Sequence, residues 1–279
     1  MRSSIDPCGL ISVVAKMIAV SGLVLVSVLV GWLLFDGMSA TDQRIWLVVL
    51  VCATVSSIAG FAFSALASAS LVHLASNPIY MVHIMLIAST AIQVYGVWAL
   101  RKDIRVRPLL PFFAGGVLTV VPGVVLLINV NVIVYVGVLG AILVAYSVLM
   151  LVRPGFRFLI DSPQMRALVG GLGGITGAVA AFPGAAITMW CSAQGWEKRQ
   201  QRAIYQPFIL GMQLLTLGVL AVLQPQQALQ PDALKFVLPA AIGGFCGLCV
   251  FERLSTHLFN RVVAGFLLVS GMALLAQVF

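Results

Sequence analysis

Residues Ala167 to Trp196 read ALVGGLGGITGAVAAFPGAAITMWCSAQGW, thirty residues with no charge and seven glycines. A Phe182-Pro183-Gly184 break falls just past the middle. As one straight helix the stretch would run about 45 Å, against a bilayer hydrocarbon core of roughly 30 Å. It is too long for one clean crossing. Pro183 removes a backbone donor and favours a new helix start, and Gly184 lets another backbone come close. Inside a bilayer, broken backbone survives only where protein or a polar cavity satisfies it. Discontinuous helices of this kind are where secondary transporters hold their solutes. The stretch predicts a carrier built around this break and a partner break in the first half.

Composition places the whole chain in the membrane. It is 61% hydrophobic and 9% charged, with a mean hydropathy of +1.11, where a soluble domain carries about 25% charged residues. The formal charge of +8 does not point to nucleic acid, because the basic residues sit in short loops between apolar runs. That pattern reports orientation. The first apolar run, Met17 to Phe35, reads as a retained helix rather than a cleaved signal. Cys246-x2-Cys249 has metal-like spacing, but no second pair or nearby histidine completes a site, so it reads as helix packing and no metal or cofactor is expected.

From Ile45 to Leu100 the chain has no Asp, Glu, Lys or Arg across 56 residues. Asn77-Pro78 divides that run. The piece before it, Ile45 to Ser76, is again about thirty residues long and carries SSIAGFAFSALASAS, Ser56 to Ser70, at its middle. Spans follow at Ile79–Leu100, Pro108–Ile128 and Val132–Val152. After the stretch 167–196 come the basic loop Glu197–Arg202 and spans at Ile204–Leu223, Leu234–Phe251 and Val262–Phe279.

The two halves repeat. Pro111-x3-Gly115-Gly116 matches Pro239-x3-Gly243-Gly244 at an offset of 128 residues, and Gly137 matches Gly265 at the same offset. Gln93 falls opposite Gln213, and Gly60 near Gly177, with the offset drifting to 120 and 117. The organisation predicted is an N-terminal helix and loop (1–44), a first repeat (45–153), a cytoplasmic connector (154–166) and a second repeat (167–279).

Charge then chooses between two topologies. If both thirty-residue stretches cross, the better orientation leaves nine basic residues inside and seven outside. If each enters and returns on its own side, as two half-helices of about 15 residues, fourteen are inside and only Arg44 and Lys235 are outside. The positive-inside rule favours the second. The fold class predicted is an all-α polytopic membrane protein with about seven full spans, two broken or re-entrant helical hairpins, and two inverted repeats. Its N-terminus is expected in the cytoplasm and its C-terminus on the opposite side of the membrane.

A half-helix that starts in mid-membrane points free N–H groups and a partial positive charge at whatever sits there. Ser64 is placed to cap one such start and Pro183 to open the other. With no acid or base well inside a predicted span, small anions held by amides, hydroxyls and dipoles fit best. Close helix packing is the plainer role for the same glycines and serines. Gln93 and Gln213 sit at corresponding places and read equally as substrate donors or as interhelical glue. Phe61, Phe63 and Phe182 flank the breaks as gates or packing, and His73 and His83 straddle the Asn77-Pro78 turn as proton relays or as interfacial or core histidines. The candidate substrate-binding set is Ser57, Gly60, Phe61, Ser64, Gln93, Thr176, Gly177, Phe182, Pro183, Gly184 and Gln213. No catalytic residue is assigned.

The SSIAGF and GGITGAVAAFPG stretches, the basic loop after the next span and the paired Pro-x3-Gly-Gly segments resemble the TauE/SafE family of sulfite and organosulfonate exporters over roughly Ile45 to Phe279. The resemblance implies transport of sulfite, sulfonates or related small sulfur-containing anions. It also implies that Gly60, Ser64, Gly177, Pro183 and Gly184 belong to the substrate region. Where the family usually shows a run of glycines in the first half, this chain reads Gly60-Phe61-Ala62-Phe63-Ser64, and a typical proline beyond is missing. A carrier for another small solute such as an organic acid stays open, as does a sensor or structural membrane subunit. An intramembrane enzyme is disfavoured because its acids would have to cluster. The partners expected are a small anionic substrate and the lipid bilayer, with a homo-oligomer allowed and no nucleic acid.

Overall fold

The computed structural model describes residues 37–71, 74, 78–129, 132–152, 161–180, 182–223 and 231–276. The expected helix Met17–Phe35 and His73 lie outside the described residues, as do connector residues 153–160. Contacts divide the chain into residues 1–44 and 45–279, and the description below concerns the second unit unless stated. Every described element is helical: α1 (Ala40–Ala59), α2 (Phe63–Leu71), α3 (Pro78–Leu100), α4 (Val106–Asn129), α5 (Val132–Val152), α6 (Pro163–Ala180), α7 (Gly184–Ala193), α8 (Lys198–Leu223), a 3₁₀ turn at Pro231–Phe236, α9 (Val237–Arg253) and α10 (Thr256–Leu275).

Among the described residues, five helices are long and apolar enough to cross a membrane: Ala40–Ala59, His83–Leu100, Val106–Val125, Asp232–Arg253 and Thr256–Leu275. Large apolar side chains stand fully outward on them and their neighbours, with Leu118 at 75% and Val222 at 79% exposure. In water such a surface would be costly, and in lipid it is neutral. The chain is a membrane protein.

Both long stretches break, but unequally. The first divides into helices of 20 and 9 residues, the second into 18 and 10. The two equal arms expected from length alone are therefore corrected. The long arms gain their extra turns from polar caps upstream of the apolar runs. Ser39 Oγ accepts from the Asp42 amide at 3.1 Å and donates to its carboxylate at 2.9 Å, a serine cap that starts α1 before Ile45. Ser162 Oγ likewise accepts from the Met165 amide at 3.2 Å, and Pro163 takes the first helical position of α6.

The packing is reciprocal between halves. Gly115 of α4 lies against the Ala167 carbonyl of α6, and Gly170 of α6 against the Phe112 carbonyl of α4, closely enough that a Cβ on either glycine would meet backbone. In the other half, Gly243 of α9 lies against α1, where a Cβ would come within 2.6 Å of the Leu50 carbonyl. So each Pro-x3-Gly-Gly helix packs on the long broken arm of the opposite half. α3 packs on α8, and α5 on α10. Small residues at these seams allow the close approach that holds membrane helices together without a hydrophobic drive.

Candidate functional site

Two short helices begin at the breaks. α2 follows Gly60 at φ +83° and Ala62 at φ +70°, two left-handed residues that turn the chain sharply around Phe61. Glycine adopts that conformation freely and alanine does not. The α2 start is therefore set by Ala62 and Phe63. Ser64 sits inside the first turn, not at the cap as its residue type suggested. α7 begins at Gly184 with Pro183 as its cap residue, at φ −67°, and no side chain caps it. Its first amides depend on whatever else reaches them.

The two starts meet. Phe61, Ala62, Phe63 and Ser64 from the first break and Phe182, Pro183 and Gly184 from the second line one pocket, closed laterally by Ser89 and Gln93 of α3 and Ile209 and Gln213 of α8. Its volume is ≈ 10 Å³, about the space of one water-sized probe. The Phe61 and Phe182 rings stack across the junction at 6.2 Å. Gln93 Nε2 donates to the Gly60 carbonyl at 3.2 Å, which holds the first turn in place. Gln213 Nε2 donates to Ser89 Oγ at 2.6 Å. Both glutamine Oε1 atoms are buried with no partner among the described residues. No lining side chain titrates near neutral pH, and none is charged.

Seven of the eleven residues read from sequence line this pocket: Phe61, Ser64, Gln93, Phe182, Pro183, Gly184 and Gln213. The other four stand just behind it. Gly60 supplies the carbonyl that Gln93 binds. Thr176 donates to the Gly173 carbonyl at 3.1 Å, and its own carbonyl accepts from the Phe182 amide at 3.2 Å. Gly177 abuts the Pro183 ring, which a Cβ there would meet at 2.8 Å. Ser57 is buried in the seam with α9, next to Gly247. Four lining residues stood outside that set: Ala62 and Phe63, which lie between two residues that were in it, and Ser89 and Ile209, each one helical turn before a glutamine that was found. That i, i+4 spacing was the available signal. His83 is buried and does not line the pocket.

A second, larger cavity of ≈ 500 Å³ opens at the start of α8, lined by Lys102, Asp103, Arg105, Pro108, Arg166, Trp196, Glu197, Arg199, Gln200, Ala203 and Ile204. Arg199 bridges Asp103 at 3.1 Å and Glu252 at 2.9 Å. Lys198 Nζ donates to the terminal α9 carbonyls of Phe251 and Glu252 at 2.6 and 3.1 Å. Arg166 pairs with Asp161 at 2.7 Å. The glutamate contact keeps the Arg199 guanidinium further above its ordinary range. Segments 101–105, 161–166, 197–204 and 252 thus share one face of the protein.

The run Glu197–Arg202, expected as a loop, is helical from Lys198 onward. Arg202 is 1% exposed. Arg202 lies two residues ahead of the expected span Ile204–Leu223, so its burial is within the protein near the start of α8. The reason is tertiary: Gly60 has no side chain, and the Arg202 Nε occupies that space, 2.9 Å from where a Cβ would stand.

No curated protein and no solved structure matches the chain. The family model described as sulfite exporter TauE/SafE matches residues 45–274. That match covers both breaks, the pocket between them and the glycine seams, and the chain belongs to the TauE/SafE sulfite exporter family.

Proposed function

We propose that the protein is a secondary carrier that exports sulfite or an organosulfonate across a bacterial inner membrane, by alternating access around its two broken helices. The observation that carries this reading is the convergence of two helix N-termini, one from each half, on a single small uncharged pocket. Such starts present unpaired N–H groups and a partial positive charge. Ser64, Ser89, Gln93 and Gln213 add hydroxyl and amide groups of the kind that hold oxyanions. The unpartnered glutamine oxygens suit a substrate that also carries a donor, such as bisulfite or an aminosulfonate.

The reciprocal packing of the halves supports inverted repeats, since α4 on α6 mirrors α9 on α1. The gathering of loops 101–105, 161–166 and 197–204 on one face supports the re-entrant topology, because the nine-span alternative would put loop 197–202 opposite loop 101–107. That face is then cytoplasmic by its basic residues.

The test is uptake of labelled sulfite into proteoliposomes of the purified protein, with and without a pH gradient. Saturable flux is the expected result, and its gradient dependence identifies the coupling. No flux above empty liposomes, together with saturable uptake of a carboxylate, would replace the sulfur anion with an organic acid.

A further inference from the structure

The central pocket holds no charge, yet a full positive charge lies one peptide behind it. We propose that Arg202 is the fixed counter-charge that makes the carrier anion-selective, receiving the anion as it passes between the central pocket and the basic vestibule. The proposal rests on the carrier reading above.

Four observations support it. First, Arg202 is buried, and its Nε and Nη1 have no hydrogen-bond partner among the described residues. Guanidinium nitrogens are strong donors, and leaving them unpaired away from water is costly unless something else binds them. Second, no carboxylate among the described residues pairs with it; Glu252, a carboxylate that acts on it electrostatically, is bound by Arg199 at 2.9 Å. The Phe251 ring beneath the guanidinium, 4.1 Å from its carbon to the centroid, offers a π-face rather than a counter-ion.

Third, its position is intermediate. Arg199, Ala203 and Ile204 of α8 line the vestibule, and Ile209 and Gln213 of the same helix line the pocket. Arg202 faces Gly60, the residue before Phe61 of the pocket wall. Three residues on, Tyr205 donates its hydroxyl to the Ala59 carbonyl and sets its ring against Phe61, 6.3 Å away at 72°. Arg202 and Tyr205 of α8 therefore meet the first break at Gly60 and on both sides of it. Fourth, the end of α1 carries the negative pole of its dipole. That pole offsets part of the cost of the buried charge while leaving the donors open to a ligand.

A low-dielectric surround makes such a charge felt across a few ångströms far more than in water. A sulfur oxyanion, with its several acceptor oxygens, is a matching ligand for a guanidinium fork.

The test compares inhibition of labelled sulfite flux by methanesulfonate, an anion, and by dimethyl sulfone, a neutral molecule of similar shape. In proteoliposomes of the wild type, methanesulfonate should inhibit the more strongly. Arg202→Gln should bring the two inhibition constants at least about tenfold closer together, and Arg202→Lys should keep the preference. If Arg202→Gln weakens both inhibitors equally, or weakens neither, the arginine is only structural and the proposal fails. If Arg202→Gln is not recovered folded, Arg202→Lys decides: a retained preference supports the charge, and a lost one overturns it. Absence of sulfite flux in the wild type would instead overturn the carrier reading, so the two failures are distinct.

Discussion

Gln213, in the second half of the chain, donates its amide to the hydroxyl of Ser89 in the first half at 2.6 Å, within the wall of the pocket. The two residues lie on α8 and α3, and their bond ties those helices together at the pocket between the two breaks. Gln213 is 3% exposed and Ser89 likewise 3%, so neither can turn to water instead. Ser89→Ala removes the acceptor and strands a buried amide donor. The expected cost is about 1–3 kcal/mol of stability, read as a lowered melting temperature in detergent. A raised KM for sulfite should accompany it. Ser89→Thr, which keeps the hydroxyl, should recover most of both.

Ala62 holds φ +70° in the first break, a conformation that costs a residue bearing a Cβ about 1–2 kcal/mol. Ala62→Gly should therefore raise stability by up to about that amount, measured by thermal unfolding of the purified protein. The reverse result, a loss of stability, would mean that the turn is relaxed by something other than backbone conformation.

The face shared by Lys102, Arg105, Arg166 and Arg199 should be cytoplasmic. Gln200→Cys, introduced with the five native cysteines replaced by serine, places a thiol at the rim of that cavity. A membrane-impermeant maleimide should label it in inverted vesicles and not in intact cells. Leu234→Cys, on the exposed 3₁₀ turn, should show the opposite pattern. Labelling of both from the same side would break the topology.

The sequence carries the organisation of this protein better than its chemistry. Charge-free length, the Pro183 break and the spaced glycines were enough to place both discontinuous helices, because each is a local rule of backbone and bilayer. Gln93 and Gln213 stood out as polar residues in apolar runs. Ser89 did not, because a serine in a small-residue helix reads as packing, and Ile209 reads as core. The turn at Ala62 was hidden for a related reason: alanine gives no sign of left-handed backbone, and only the tertiary frame imposes it. Arg202 was misplaced because Glu197–Arg202 is a charged run, and charged runs are ordinarily solvated. Its burial depends on a space that Gly60, 142 positions earlier in the sequence, leaves open.

The most direct measurement is labelled sulfite flux through Gly184→Leu, set beside Gly218→Leu. At Gly184 an added side chain enters the pocket wall, its Cβ 2.7 Å from Ile209 Cδ1 and 3.3 Å from Phe61 Cβ. At Gly218 the same change meets nothing within 4 Å. With both variants eluting as folded protein, the pocket account predicts wild-type flux through Gly218→Leu and none through Gly184→Leu. Undiminished saturable flux through Gly184→Leu would show that the anion does not pass between the two breaks.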